Sequence, residues 1–151
     1  MGKSAQKLYD RCVELHRAEY HYDLLVDTCR EIGKWIPRSE FAHKLDPAVV
    51  AEFERVLEEE IRPQLQAASD EFVAAFGIAW EDRVSVENPG EPPVRLAPWE
   101  VTFALAPTEP FGTLRGHALK ADGTPGKKIV VVRLRPGISK VTVLSSAAKP
   151  A

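Results

Sequence analysis

Apolar residues change their spacing along this chain near residue 80. Over residues 4–32 they recur as Leu8, Cys12, Leu15, Ala18, Tyr22, Leu25, Cys29 and Ile32, in steps of three and four. That spacing holds one face of a helix for about seven turns. Ser4 is placed as its N-cap and Gly33 as its stop, with Pro37 barring continuation. A short helical turn capped by Ser39 is expected over residues 39–45. Asp46-Pro47 then opens a second long helix, an aspartate cap before proline at the first helical position. Its stripe is Val50, Phe53, Leu57, Ile61, Leu65, Ala68, Phe72 and Ala75/Phe76. Gly77 ends it, with Ile78 supplying the apolar contact of a Schellman motif. Pro63 falls inside the pattern, removes one donor and crowds the carbonyl of Glu59. A kink over residues 59–62 is expected there, rather than a break. Two long helices with a compact connector predict an antiparallel hairpin with a narrow seam.

After the Pro/Gly-rich residues 86–93, apolar and polar positions alternate as in strands. Strands are expected at residues 80–86, 99–106, 113–120, 128–135 and 138–145. In the second of these, Trp99, Val101, Phe103 and Leu105 fall on the buried face. Asp122-Gly123-Thr124-Pro125-Gly126 and Pro136-Gly137 are strong turn sequences. The expected fold is therefore α+β: a helical hairpin over residues 4–77 packed with an antiparallel β-meander over residues 78–145. The two form one composite domain, followed by a disordered tail at 146–151.

Composition changes this picture little. The 151 residues are 44% hydrophobic and 28% charged, ordinary for a globular protein. Such a chain buries roughly 70% of its unfolded surface without needing metals or disulfides. No apolar run is long enough to span a membrane, and the N-terminus lacks the apolar core of a signal peptide. A cytoplasmic protein is expected, with Cys12 and Cys29 reduced and buried on the helix stripe. Seventeen residues of continuous helix would hold them roughly 25 Å apart, beyond disulfide reach.

Charge changes it more. The net charge of −2 conceals a balance of −7 over residues 1–90 and +5 over residues 91–151. An acidic helical half and a basic β half would face different partners, or neighbouring copies head to tail.

Sequence motifs for catalysis or cofactor binding are weak. His16, Glu19 and Asp23 share a helix face, and Glu40 and His43 have Glu-x-x-His spacing, but the remaining ligands of a carboxylate-bridged metal bundle are missing. Gly123-Thr124-Pro125-Gly126-Lys127-Lys128 departs from the phosphate-loop pattern at Ala121 and Lys128, and it joins two strands rather than opening a helix. His117 reads as a surface strand residue rather than a general base. Residues 39–56 resemble a helix-turn-helix in outline only, because Glu52 would occupy its buried position. No catalytic residue, metal or cofactor is expected.

The last hairpin carries the strongest signal. A two-residue turn at Pro136-Gly137 would place Arg133 opposite Lys140, and Arg135 opposite Ile138. Ile129, Val131, Arg133 and Arg135 would then share one face, with Val130, Val132 and Leu134 on the other. Arg133, Arg135, Lys140, Lys127, Lys128 and Arg115 are the candidate partner-binding residues. The expected function is a non-catalytic binding, adaptor or assembly subunit that meets a protein partner or itself. A nucleic-acid-associated protein is the alternative, and a small enzyme built around His117 or His16 ranks last.

Overall fold

The computed structural model describes residues 2–35, 47–105 and 108–145. Helix α1 spans Gly2–Trp35. Helix α2 (Pro47–Arg55), a π-helical segment (Val56–Ile61) and helix α3 (Arg62–Ala74) follow one another without a break. Strands β1 (Arg83–Glu87), β2 (Val94–Phe103), β3 (Gly112–Leu119), β4 (Pro125–Leu134) and β5 (Lys140–Ser145) complete the chain. The fold is α+β with a single antiparallel five-stranded sheet. The expected turn over residues 39–45, the Asp46 cap and the tail at 146–151 lie outside the described residues.

The helices depart from expectation in phase. Helix α1 begins before Ser4 and continues past Gly33, so neither residue delimits it. Its buried positions are Ala5, Tyr9, Cys12, Val13, Leu15 and Val26, while Leu25 and Ile32 are exposed. Leu24, Leu25 and Val26 are three apolar residues in a row, so spacing alone leaves the phase open. Packing chooses Val26, which lines the same cavity as Leu57. Cys29 consequently moves to a half-buried position, whereas Cys12 is fully buried.

Pro63 produces a local widening, not a break. The amide of Arg62 donates to the carbonyl of Leu57, five residues back, in place of the usual four. This π register relieves the crowding that a proline ring imposes on the carbonyl four residues earlier. Further along, Gly77 adopts φ +77. The amides of Ile78 and Gly77 donate to the carbonyls of Val73 and Ala74. This is the expected Schellman ending, with Val73 and Ile78 both buried.

By its internal contacts the chain divides into residues 1–13 with 68–151, and residues 14–67. That division cuts across the helices, because the first turns of α1 and the end of α3 pack with the sheet. Tyr9 and Phe72 lie 6.1 and 5.2 Å from the ring of Phe103. Gly112 makes room for Phe72, whose Cε1 would stand 2.7 Å from a Cβ added there. Leu96, Leu114, Leu134, Val84 and Val86 complete this core. Within residues 14–67, Tyr22 meets Phe53 edge-on at 6.0 Å, and Arg30 pairs with Glu54. Val26 and Leu57 floor a half-open cavity of about 260 Å³.

The sheet order β4-β3-β2-β1-β5 corrects the expected meander: β5 pairs with β1, not with β4. Val84 faces Val143 and Val86 faces Val141. The Pro136-Gly137 turn is wider than a two-residue hairpin, since the amides of both Ile138 and Ser139 donate to the Arg135 carbonyl. This turn carries the chain away from β4. Asn88 Nδ2 donates to the Arg133 carbonyl at 2.9 Å, and Ser139 Oγ donates to Asn88 Oδ1 at 2.5 Å. In a flat sheet, the three strand spacings from β4 to β1 would by themselves separate them by at least roughly 14 Å. The sheet therefore curls enough to bring the end of β4 to the end of β1.

Leu57→Ala should cost about 2–5 kcal/mol through lost burial and a residual cavity. Glu58→Ala, which removes only an exposed pair with Arg62, should cost less than about 0.5 kcal/mol. Equal denaturation midpoints for the two variants would contradict the assigned interior. Burial pushes the Cys12 thiol up to about 11 against a partly offsetting hydrogen bond from Ser69. At pH 8 native alkylation should label Cys29 first and Cys12 only on unfolding, as read by mass spectrometry. Because the folded-state value is raised, Cys12 opposes unfolding fully below about pH 9 and loses that contribution as pH rises towards 11.

Candidate functional site

Strand β2 cannot keep a regular ladder, because Pro98 has no amide to donate. The register slips there: Pro98 faces Gly116 and Glu100 faces Arg115, leaving Trp99 as an extra residue. A bulge of this kind turns two successive side chains to one side. Trp99 and Glu100 both face outward, whereas Val101 and Phe103 remain in the core. This corrects the expectation that Trp99 shares their buried face. Gly116 permits the bulge: a Cβ there would stand 2.4 Å from the Ala97 carbonyl oxygen.

The register then assembles an outer face in rows. Trp99 packs against His117 with ring centroids 4.5 Å apart and the planes tilted by 48°, and His117 faces Ile129 on β4. In the next row Glu100, Arg115 and Val131 lie side by side, and beyond it Thr102, Thr113 and Arg133. Trp99, Ile129 and Val131 are 42%, 51% and 58% exposed. Three large apolar side chains in adjoining positions form a contiguous patch, which a solitary exposed leucine would not. His117 Nδ1 is buried without a hydrogen-bond partner among the described residues.

The candidate basic residues are distributed differently than a hairpin would place them. Arg115 pairs with Glu100 at 3.6 Å. Arg133 and Arg135 both reach Glu109 Oε1, at 3.2 and 3.1 Å, and Arg133 lies 4.7 Å over the Phe111 ring. Lys140 faces Glu87 on β1, not Arg133. Lys127 and Lys128 stand where the β3–β4 register slips, between His117 and Leu119. The structure thus keeps Arg133 and Arg135 together, sets Arg115 beside the apolar rows and pairs Lys140 with β1. Ile129 and Val131 face outward as alternation predicts. The aromatic pair of Trp99 and His117 is missed by alternation alone; the signal that finds it is Pro98 inside a strand.

Other chemistry-bearing groups are already engaged. His16 Nδ1 lies 3.3 Å from Glu19, which also meets Arg62. The rim of the cavity floored by Val26 and Leu57 consists of Asp23, Arg30, Glu54, Glu58 and Arg62, charges that pair with one another. Among the described residues no group of three His, Cys, Asp or Glu could hold a metal ion, and no helix is long and apolar enough to cross a membrane. Glu40 and His43 lie outside the described residues. In comparisons with known proteins, no family model, curated protein or solved structure matches this chain.

Gly116→Ala tests how the face is built. The added methyl must displace β2 backbone, so the variant should lose at least about 1–3 kcal/mol. Its Trp99 emission should change with the bulge, read in a background where Trp35 and Trp80 are replaced by Phe. An unaltered midpoint and spectrum would show that β2 and β3 do not approach so closely.

Proposed function

We propose that this protein is a non-catalytic adaptor or assembly subunit whose outer face on β2, β3 and β4 receives a protein partner. The observation that carries this reading is the contiguous exposure of Trp99, Ile129 and Val131 beside His117. A tryptophan standing on a rigid strand offers a large contact area at little conformational cost, the usual character of an interface anchor. The neighbouring arginines are paired with Glu100 and Glu109, so the face is less cationic than the balance of the β half suggests. That favours a protein surface over a phosphate backbone, whose binding rests on unneutralised cations.

The helices belong to this proposal as an antiparallel hairpin presenting an acidic surface to a second partner or copy. Pairings of Glu19 with Arg62, Tyr22 with Phe53 and Arg30 with Glu54 support that arrangement. The nucleic-acid reading draws on a different observation, the exposed Trp99 ring and its neighbour His117 together with Lys127 and Lys128, since aromatic side chains receive the bases of single strands.

The test is isolation of the native partner, followed by titration of wild type and Trp99→Ser at low and high salt. Trp99→Ser should weaken binding at least roughly tenfold, with little salt dependence, as loss of an apolar anchor of about 2 kcal/mol requires. Unchanged affinity would reject the face. Steeply salt-dependent binding to a generic oligonucleotide would replace the protein partner with nucleic acid.

A further inference from the structure

Two arginines at the end of β4 share a single carboxylate oxygen. Arg133 Nη1 and Arg135 Nη2 both donate to Glu109 Oε1. One carboxylate therefore answers two guanidinium groups and leaves a positive charge over. Arg135 is also the more enclosed of the pair: its side chain is 17% exposed, and its Nε is buried without an acceptor among the described residues. A buried donor left unmet costs roughly 1–3 kcal/mol. The fork between Nε and Nη of an arginine donates to both oxygens of a carboxylate side by side, and Glu109 meets only one arm of it.

The two sides of this contact are not equally fixed. The arginines stand on backbone held at three points: Asn88 binds the Arg133 carbonyl, and the amide of Arg135 donates to Ser139 Oγ, itself bound to Asn88. The Phe111 ring supports Arg133 from below. Glu109, in contrast, comes from the connection between β2 and β3, outside any ladder, and is 43% exposed. A firm cationic site is thus occupied by a carboxylate on a loop.

We propose that Arg133 and Arg135 form a carboxylate-binding site for an acidic segment of a protein partner, and that Glu109 is an internal occupant which the partner displaces. Arg133 borders Val131 on the outer strand, so the site lies next to the apolar face and would select partners carrying an acidic residue beside an apolar one. This specifies the partner's chemistry and rests on the protein-binding reading. Internal occupation makes Glu109 inhibitory: its removal should strengthen binding rather than weaken it. A clamp that merely stabilises the loop would have the opposite signature, loss of stability with no gain in affinity.

The experiment uses a fluorescent hexaglutamate peptide titrated into the full chain at low ionic strength, with thermal melts for every variant. Glu109→Gln should bind it roughly tenfold more tightly than wild type. Adding Arg135→Gln to that variant should remove the gain, which separates this site from Lys127, Lys128 and Lys140. Glu109→Ser serves as a second test should Gln retain the hydrogen bonds. Equal affinity of wild type and both Glu109 variants would overturn the proposal, as would a gain that survives Arg135→Gln. A gain for hexathymidylate without one for hexaglutamate would overturn the assignment to carboxylate. Failure here with loss of native partner binding in Trp99→Ser would leave the apolar face standing. The reverse pattern would remove the face and keep the arginine site.

Discussion

The sheet is organised around one missing hydrogen bond. Pro98 cannot donate to the ladder in the middle of β2, and Gly116 opposite it lacks the Cβ that would keep the backbones apart. The bulge that results inserts one residue into β2. Before it Leu96 and Pro98 are buried, after it Val101 and Phe103 are buried, and the change of phase falls on Trp99 and Glu100. Without that extra residue the side chains from Trp99 onwards could not satisfy the core in this register. The exposed tryptophan is therefore a consequence of how β2 meets β3, not an isolated surface choice.

A second constraint closes the structure. Asn88 is 5% exposed, and both ends of its amide are used, one on the Arg133 carbonyl and one on Ser139 Oγ. A buried amide stays buried only when its donors and acceptors are met. These bonds hold the end of β4 against the end of β1, while β5 adds to the far side of β1. The same bonds fix the backbone on which Arg133 and Arg135 stand. Curling of the sheet and the placement of Arg133 and Arg135 thus share one small polar cluster.

Much of this was legible in the sequence, and the failures have physical causes. The change of period, the Gly77 ending, the distortion before Pro63 and the outward face of Ile129, Val131 and Arg133 follow from local spacing and backbone chemistry. The burial of Val26 in place of Leu25 does not, because three consecutive apolar residues leave the helix phase to tertiary contact. Pairing of β5 with β1 depends on the wide turn over residues 135–139 and on Asn88, some fifty residues away. No local pattern encodes that partner choice. Pro98 and Gly116 were both visible, but their joint meaning needs the register that opposes them. For the candidate site, Arg133 and Arg135 could be placed together from alternation alone, whereas Glu109 between them required the fold.

An exposed apolar face, cations held by the chain's own carboxylates and an acidic helical half are the features on which the proposed binding role rests. The bulge at Trp99 is the point on which the proposed face turns. Its most direct test is a set of nuclear Overhauser contacts from the Trp99 indole in the isotope-labelled chain. Cross-peaks to the His117 ring, with none to the methyls of Leu96 or Leu114, are expected of an outward side chain. Strong cross-peaks from the indole to Leu114 or Phe72 would place Trp99 in the core, restore the unbroken alternation of β2 and contradict the proposed face.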